Sequence, residues 1–353
     1  VKSIRAAIFA MASLFLLPAA AAADTVFQPG EWQAYMGNFV GDDGRVIDTG
    51  NANISHSEGQ GYGLILAALA DDPEGFERIW KFTATELMVR SDGLAAWRWE
   101  PDARPHVTDM NNATDGDMLI AYGLLLASKA WDRPDYLDKA RTIVATIGKS
   151  MLRVEDGLPV IVPGAAGFLA ADTGNDGTVL NPSYWVFEVF SPFAELDPVV
   201  DWRAVEQAGL DILRRSAITP AGIPADWILI SDGAVRPAPG FPPEFGYNGL
   251  RIPLYLIRAG ADPAFLKPFR RNAVPPDLAK VNVVSGKPVE PITEPGYRLI
   301  LAGMDCLLDG TPVPEELRTM TPSSYYSATL QLLLLDHFRR NDPRCLGGGE
   351  SQP

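Results

Sequence analysis

Residues 111–152 read NNATDGDMLIAYGLLLASKAWDRPDYLDKARTIVATIGKSML, two helical stretches of opposite character separated by a short break. The first, opening near Thr114, is apolar on most of its faces, as a helix buried on all sides must be. The second opens at Pro134, where proline is tolerated because the first-turn N–H has no intrahelical partner, and it sets a charged face against an apolar one. One buried helix is therefore followed by one that lies between core and water. The same alternation runs through the chain: apolar stretches open near residues 57, 114, 182, 246, 295 and 322, and between them come amphipathic ones such as PEGFERIWKFTATELMV at 73–89 and WRAVEQAGLDILRRS at 202–216. Helix starts fall near Pro29, Ser57, Pro73, Thr114, Pro134, Pro182, Trp202, Gly246, Asp262, Pro295, Pro314 and Pro322, while strand signals are few. Six inner helices alternating with six outer ones predict an all-α, (α/α)6 barrel, closed by packing the helix near residue 30 against the last inner one. In such a ring the inner helices run the same way, so their N-termini and the preceding loops meet at one end, where a binding cleft is expected.

The boundaries follow from composition. Lys2 and Arg5 precede an apolar run from Ala6 to Leu17 and the small residues Ala21-Ala22-Ala23, the pattern of a secretory signal peptide over 1–23. Residues 24–340 are expected to form the single catalytic domain and 341–353 a flexible C-terminal tail. The apolar stretch of the leader is shorter than the roughly 20 residues of a membrane-spanning helix, so no stable membrane insertion is expected, and the protein is read as exported, periplasmic or secreted. A formal charge of −14, from 30 basic and 44 acidic side chains, repels nucleic acid and anionic membranes and suits a neutral ligand. The two cysteines, Cys306 and Cys345, are candidates for one bridge in an oxidising compartment. Three scattered histidines, no HExxH and no CxxC give no basis for a metal, and without GxSxG there is none for serine acyl chemistry.

Two inner-helix starts share a pattern. In HSEGQGYG, Ser57 is read as an N-cap and Gln60 as its capping-box partner; in NNATDGDM, Thr114 caps and Asp117 stands three residues on. Both readings set a carboxylate, Glu58 or Asp115, in the first turn of an inner helix, facing one cleft. The helix dipole alone favours acids there, but two at one rim, beside Gly59, Gly61 and Gly63, suggest a site. Those glycines cost about 1 kcal/mol each relative to alanine in a helix, so they are expected to permit close backbone or ligand approach. Tyr62, Trp97, Trp99, Tyr184, Trp185, Trp227 and Tyr247 lie in the same loops and helix starts; flat rings with a polar edge suit sugar faces, and core packing is their competing use. Paired carboxylates with aromatics point to glycoside hydrolysis.

The stretches SEGQGYG (57–63), AAWRW (95–99), NNATDGDMLIAYGLLLASKAW (111–131), NPSYW (181–185), ADW (225–227) and FGYNGLR (245–251) resemble, in order, the motifs of glycoside hydrolase family 8. The resemblance spans about residues 30–340. It implies an (α/α)6 barrel, inverting hydrolysis of β-1,4-linked glycans, and no cofactor. By resemblance Glu58 is the proton donor and Asp115 the carboxylate that grips the sugar at the cleavage point. Tyr184 and Tyr247 line that subsite, and Arg251, which closes the last motif, joins the substrate-binding set. Asn248 departs from the pattern, since most cellulases of the family carry there the aspartate that serves as general base. An amide cannot accept the proton of an attacking water, so the base must be sought among Glu244, Asp226, Asp172, Asp176 and Asp115 itself. The leading expectation is a monomeric endo-β-1,4-glucanase acting on β-1,4-glucan, with the cellulose-synthesis machinery a candidate associate. A chitosanase, favoured by the acidic charge, and a glycan-binding protein on a degenerate barrel, suggested by Asn248, are the alternatives.

Overall fold

A computed structural model describes residues 26–348; the expected leader and residues 349–353 lie outside this range. Twelve α-helices dominate: α1 (Glu31–Phe39), α2 (Ser57–Leu69), α3 (Pro73–Phe82), α4 (Thr114–Trp131), α5 (Pro134–Ser150), α6 (Ala170–Thr173), α7 (Phe190–Leu196), α8 (Trp202–Ser216), α9 (Arg251–Arg258), α10 (Lys267–Arg271), α11 (Pro295–Asp309) and α12 (Tyr325–Asn341). The inner ring consists of α2, α4, the segment ending in α7, α9, α11 and α12, and it forms the (α/α)6 barrel. Leu64, Leu119, Phe190, Leu254, Ile300 and Leu332, one from each of these, are all buried in one continuous core. The ring closes where expected. Tyr35 of α1 bonds Thr329 of α12 through their hydroxyls at 2.9 Å, and Arg339 clasps Glu31 at 2.6 and 2.9 Å.

Inner and outer positions are unequal in regularity. The inner segment opening at Pro182 consists of two 3-10 turns, Pro182–Tyr184 and Phe187–Val189, before α7. The outer helix expected near Pro314 is a single 3-10 turn, Glu315–Leu317, and the one near Asp262 is a 3-10 turn running into the short α10. Proline explains the second, since Pro268 lacks the backbone donor that one continuous helix from Pro263 would need.

Short strands decorate the loops: a hairpin of Leu152–Glu155 with Leu158–Ile161, and three-stranded sheets built from Thr178–Leu180, Ile228–Ser231 and Ala234–Pro237 and from Glu244–Phe245, Leu278–Asn282 and Lys287–Ile292. Asp156-Gly157 and Asp232-Gly233 form two-residue turns with positive φ throughout (50° and 78°, 50° and 75°), the geometry that matches the twist of tight hairpins.

Residues 341–348 do not form the flexible tail expected of them. Residues 343–346 form a 3-10 turn, Cys345 is buried, and it is bridged to Cys306 of α11. At the end of the barrel away from the cleft, Arg258 of α9 forms a two-point pair with Glu188 at 2.6 and 2.7 Å and approaches Asp336 of α12. The three are buried, and they tie neighbouring inner elements together.

Candidate active site

Glu58 and Asp115 are each the second residue of an inner helix, but neither helix is capped as its sequence suggests. The residue before α2 that receives the cap bond is His56, whose Nδ1 accepts from Gly59 N at 3.0 Å. Ser57 is already helical and its buried hydroxyl has no hydrogen-bond partner among the described residues. Gln60 turns inward instead, accepting from Val46 N at 2.6 Å and donating to Thr83 Oγ1. For α4, Thr114 donates to Val162 O, and Asp117 accepts from Ala95 N and Asn112 Nδ2. Thr114, Gln60 and Asp117 hold surrounding loops, and the two acids face the cleft all the same.

Glycines bring those two helices together. A Cβ on Gly61 would lie 2.5 Å from Leu119 Cβ, one on Gly123 2.7 Å from Leu64 Cβ, and one on Gly116 2.1 Å from Ser57 Oγ. The backbones of α2 and α4 therefore pack closer than side chains permit, which sets Glu58 beside Asp115. Their shared partner is Arg251, the first residue of α9, 1% exposed. Its Nη1 donates to Glu58 Oε2 at 2.5 Å and to Asp115 Oδ2 at 2.6 Å; Nη2 donates to Ser183 Oγ at 2.7 Å and Asn248 Oδ1 at 2.9 Å. The Ser183 hydroxyl in turn donates a hydrogen bond to Asn181 Oδ1 at 2.7 Å. Arg251 is thus the hub beneath the site.

The two acids differ in access. Glu58 keeps 18% of its side chain exposed against 1% for Asp115, so Glu58 is the more accessible of the two from the cleft. Burial raises the Asp115 pKa and the Glu58 charge adds to this, against the opposing pull of Arg251. Burial likewise lifts the Tyr184 hydroxyl well above its usual range, with Asp115 reinforcing the shift, so this hydroxyl stays protonated.

The cleft above this floor has a volume of about 730 Å³. Trp97, Tyr184, Tyr247 and Asn248 line it as anticipated. Tyr247 is half exposed and meets Tyr297 edge to face at 5.9 Å. Trp97 donates to Asp109, with the Arg98 guanidinium 4.7 Å over its ring.

Four other candidates do not reach the cleft. Tyr62 is fully buried and bonded to the Tyr255 hydroxyl. Trp99 is sandwiched against Phe82 and His106, and Trp185 packs on Gly209 with its indole donating to Val205 O. Trp227 stacks on Phe168 and Phe241 to one side, with its ring centre 6.3 Å from that of Tyr184. Core packing claims the first three, each of them buried. The opposite wall of the cleft, Asp48, His56, Glu294, Tyr297, Tyr325 and Tyr326, was not foreseen. The two adjacent tyrosines of SSYY, at the start of the last inner helix, were the available signal.

The loop carboxylates considered as bases are engaged elsewhere. Asp226 accepts from Gly246 N and Gly249 N at 2.8 and 2.9 Å and braces the loop under Asn248. Glu244 pairs with Lys280 at 2.8 Å, Asp176 with Arg236 at 2.5 Å, and Asp172 accepts from Gly167 N and Leu169 N. None of them is among the lining residues of the cleft.

A match to the family model for glycosyl hydrolases family 8 extends over residues 1–339. The chain is a family 8 glycosyl hydrolase. It is 36% identical over 324 residues to a probable endoglucanase of Novacetimonas hansenii, covering 89% of this chain and 91% of that one. It is also 37% identical over 240 residues to an endoglucanase of Cellulomonas uda, covering 68% of this chain and 66%, just under two thirds, of the relative. Among solved structures, a family 8 endo-β-1,4-glucanase from an Achatina fulica gut metagenomic library superposes with a TM-score of 0.79 at 34% identity, covering 92% of this chain and all of that one. This hydrolase thus shares the barrel of that enzyme over nearly its whole length.

Proposed function

We propose that this family 8 glycosyl hydrolase is an exported endo-β-1,4-glucanase that cleaves internal β-1,4-glucosidic bonds with inversion. The observation that carries the reading is the pair of carboxylates on one buried guanidinium at an open, aromatic-lined cleft, with Glu58 the more exposed of the two. A glucan lying against Trp97 and Tyr247 sets a glycosidic oxygen at Glu58. Glu58 gives that oxygen its proton, the C1–O bond breaks, and Asp115 holds the hydroxyls of the sugar whose C1 takes positive charge. Water attacks C1 from the opposite face.

Asn248 Oδ1 accepts from Arg251 Nη2, which leaves its Nδ2 to donate to the water oxygen. The departing proton needs a carboxylate. Glu58 and Asp115 both touch Arg251 Nη1, which sets their oxygens closer than the roughly 6.5–9.5 Å that leaves room for water in an inverting pair. Asp48 is engaged with His56 and Gly50 N. Glu294 has Oε2 fixed by Ser323 and Ser324, with no protein partner on Oε1 among the described residues, and we assign it the role of base.

Three further observations support the wider reading. A disulfide and the leader-like first 23 residues fit an oxidising compartment outside the cytoplasm. Glu58, Asp115, Asn248 and Arg251 come from one chain, which fits action as a monomer. The four cleft carboxylates Asp48, Glu58, Asp115 and Glu294 also favour a cationic glycan, so chitosan is the second substrate to test. The deciding experiment measures viscosity and reducing ends released from carboxymethylcellulose and chitosan, with proton NMR of the first products. Rapid viscosity loss on the glucan with α-anomers appearing first is expected. Turnover no greater than that of Glu58→Gln on both polymers would overturn the proposal.

A further inference from the structure

The catalytic helix α2 is capped by a titratable side chain. His56 has the extended backbone of an N-cap residue, φ −136° and ψ 158°, and its Nδ1 accepts from Gly59 N at 3.0 Å. Ser57, the type that ordinarily caps, cannot take over: it is already in the helix, with its hydroxyl pressed against Gly116 of α4. An imidazole nitrogen accepts a hydrogen bond only while it carries no proton, so this contact selects the neutral ring with its proton on Nε2. That nitrogen faces Asp48 Oδ2 at 3.4 Å, and Asp48 Oδ1 in turn accepts from Gly50 N at 3.2 Å. Tyr325 closes the remaining side, its ring edge-on at 5.8 Å.

Glu58 lies inside the turn that this bond closes, between His56 and Gly59. We infer that His56 is a positioning residue: as the neutral Nε2–H tautomer it fixes the first turn of α2 and so aims Glu58, and its protonation sets two donors, Nδ1–H and Gly59 N–H, against each other and releases that turn. The inference rests on Glu58 being the acid catalyst.

The groups facing the ring are Asp48 from the preceding loop, Glu58 on α2, Asp115 on α4 and Tyr325 on α12. Burial pushes the His56 pKa down, but Asp48, Glu58 and Asp115 outweigh it and place it above the usual value, about 6.5. Release of the turn therefore begins near neutral pH on acidification. Asparagine at 56 offers a cap oxygen that does not titrate, and alanine offers none.

The test compares kcat against pH for the wild type, H56N and H56A on carboxymethylcellulose, with 15N NMR of the wild-type imidazole. The wild type is expected to lose activity by about tenfold per pH unit below the His56 pKa, as the neutral fraction falls. H56N should hold its plateau to lower pH. H56A should be reduced about tenfold or more at every pH, since a small misplacement of a catalytic group is costly. The 15N shifts should show Nε2–H at pH 8. An acid limb in H56N identical to that of the wild type, an H56A as active as H56N, or an Nδ1–H tautomer would each overturn the inference. A wild type inactive on both glycans would instead refute the glucanase reading, with the NMR result still deciding the cap.

Discussion

Arg251→Met removes the one cation that Glu58 and Asp115 share and leaves a side chain of similar length. In the wild type its guanidinium makes four side-chain contacts of 2.5–2.9 Å. Without it, Asp115 keeps only the Gly116 N–H on Oδ1, at 2.8 Å, and faces Glu58 with nothing between. Two unit charges roughly 5 Å apart repel by about 3 kcal/mol at an effective dielectric of about 20, and breaking a buried pair by removing one partner typically costs about 3–5 kcal/mol. The pH dependence has a definite sign. A carboxyl whose folded pKa is raised above its unfolded value, about 4, costs nothing while both states are protonated and destabilises progressively as pH rises through the folded value. The deficit of the variant should therefore be small near pH 4 and fully developed near pH 7. At about 2 °C per kcal/mol for a chain of this size, that is a Tm loss of roughly 6–10 °C at pH 7. Calorimetry of both proteins at the two pH values measures it. Equal Tm losses at pH 4 and pH 7 would show that Arg251 acts by packing alone and refute the charge argument.

Other expectations are simpler to state. Glu58→Gln should lower kcat by about 100-fold or more with Tm nearly unchanged, because it removes a transferable proton and little packing; retention of more than about a tenth of the activity would reassign the acid. Gly61→Ala places a Cβ 2.5 Å from that of Leu119, so α2 and α4 must separate; a stability loss of about 1–3 kcal/mol is expected, with kcat reduced further than KM, and an unaltered kcat would mean that the helix spacing does not tune the site. Glu294→Ala should be nearly inactive, regain turnover with azide by forming the α-glycosyl azide, and be restored by adding Asn248→Asp; azide without effect would remove Glu294 from the base role. Cys306→Ser with Cys345→Ser opens a link across 39 residues worth about 4 kcal/mol by loop entropy, measurable by urea unfolding.

The barrel was legible because helix burial is a one-dimensional signal. A stretch such as MLIAYGLLLA has no polar face to offer water, and PDYLDKARTIVATIGKS has one, so inner and outer positions separate in the sequence alone. The two acids were legible for a related reason, each standing in the first turn of an inner helix, even though the caps assigned to those turns were wrong. The hairpins could have been read from EDGL and SDGA, where Asp-Gly supplies two positive-φ residues in succession, but their strands are only four residues long.

What the sequence determined by itself was the order and burial class of the helices, the end at which the cleft opens, and the two carboxylates there. Only the tertiary structure decided which aromatics face the cleft and which face the core, because Tyr62, Trp99 and Trp185 differ from Trp97 and Tyr184 in direction and not in kind. It alone joined residues 58, 115, 183, 248 and 251 on one guanidinium and brought Asp48, His56 and Glu294 to the same cleft. The physical reason is range: hydrogen bonding within a turn and the period of a helix act over a few neighbouring residues, whereas an ion pair spanning 193 positions, as between Glu58 and Arg251, exists only once the ring has closed.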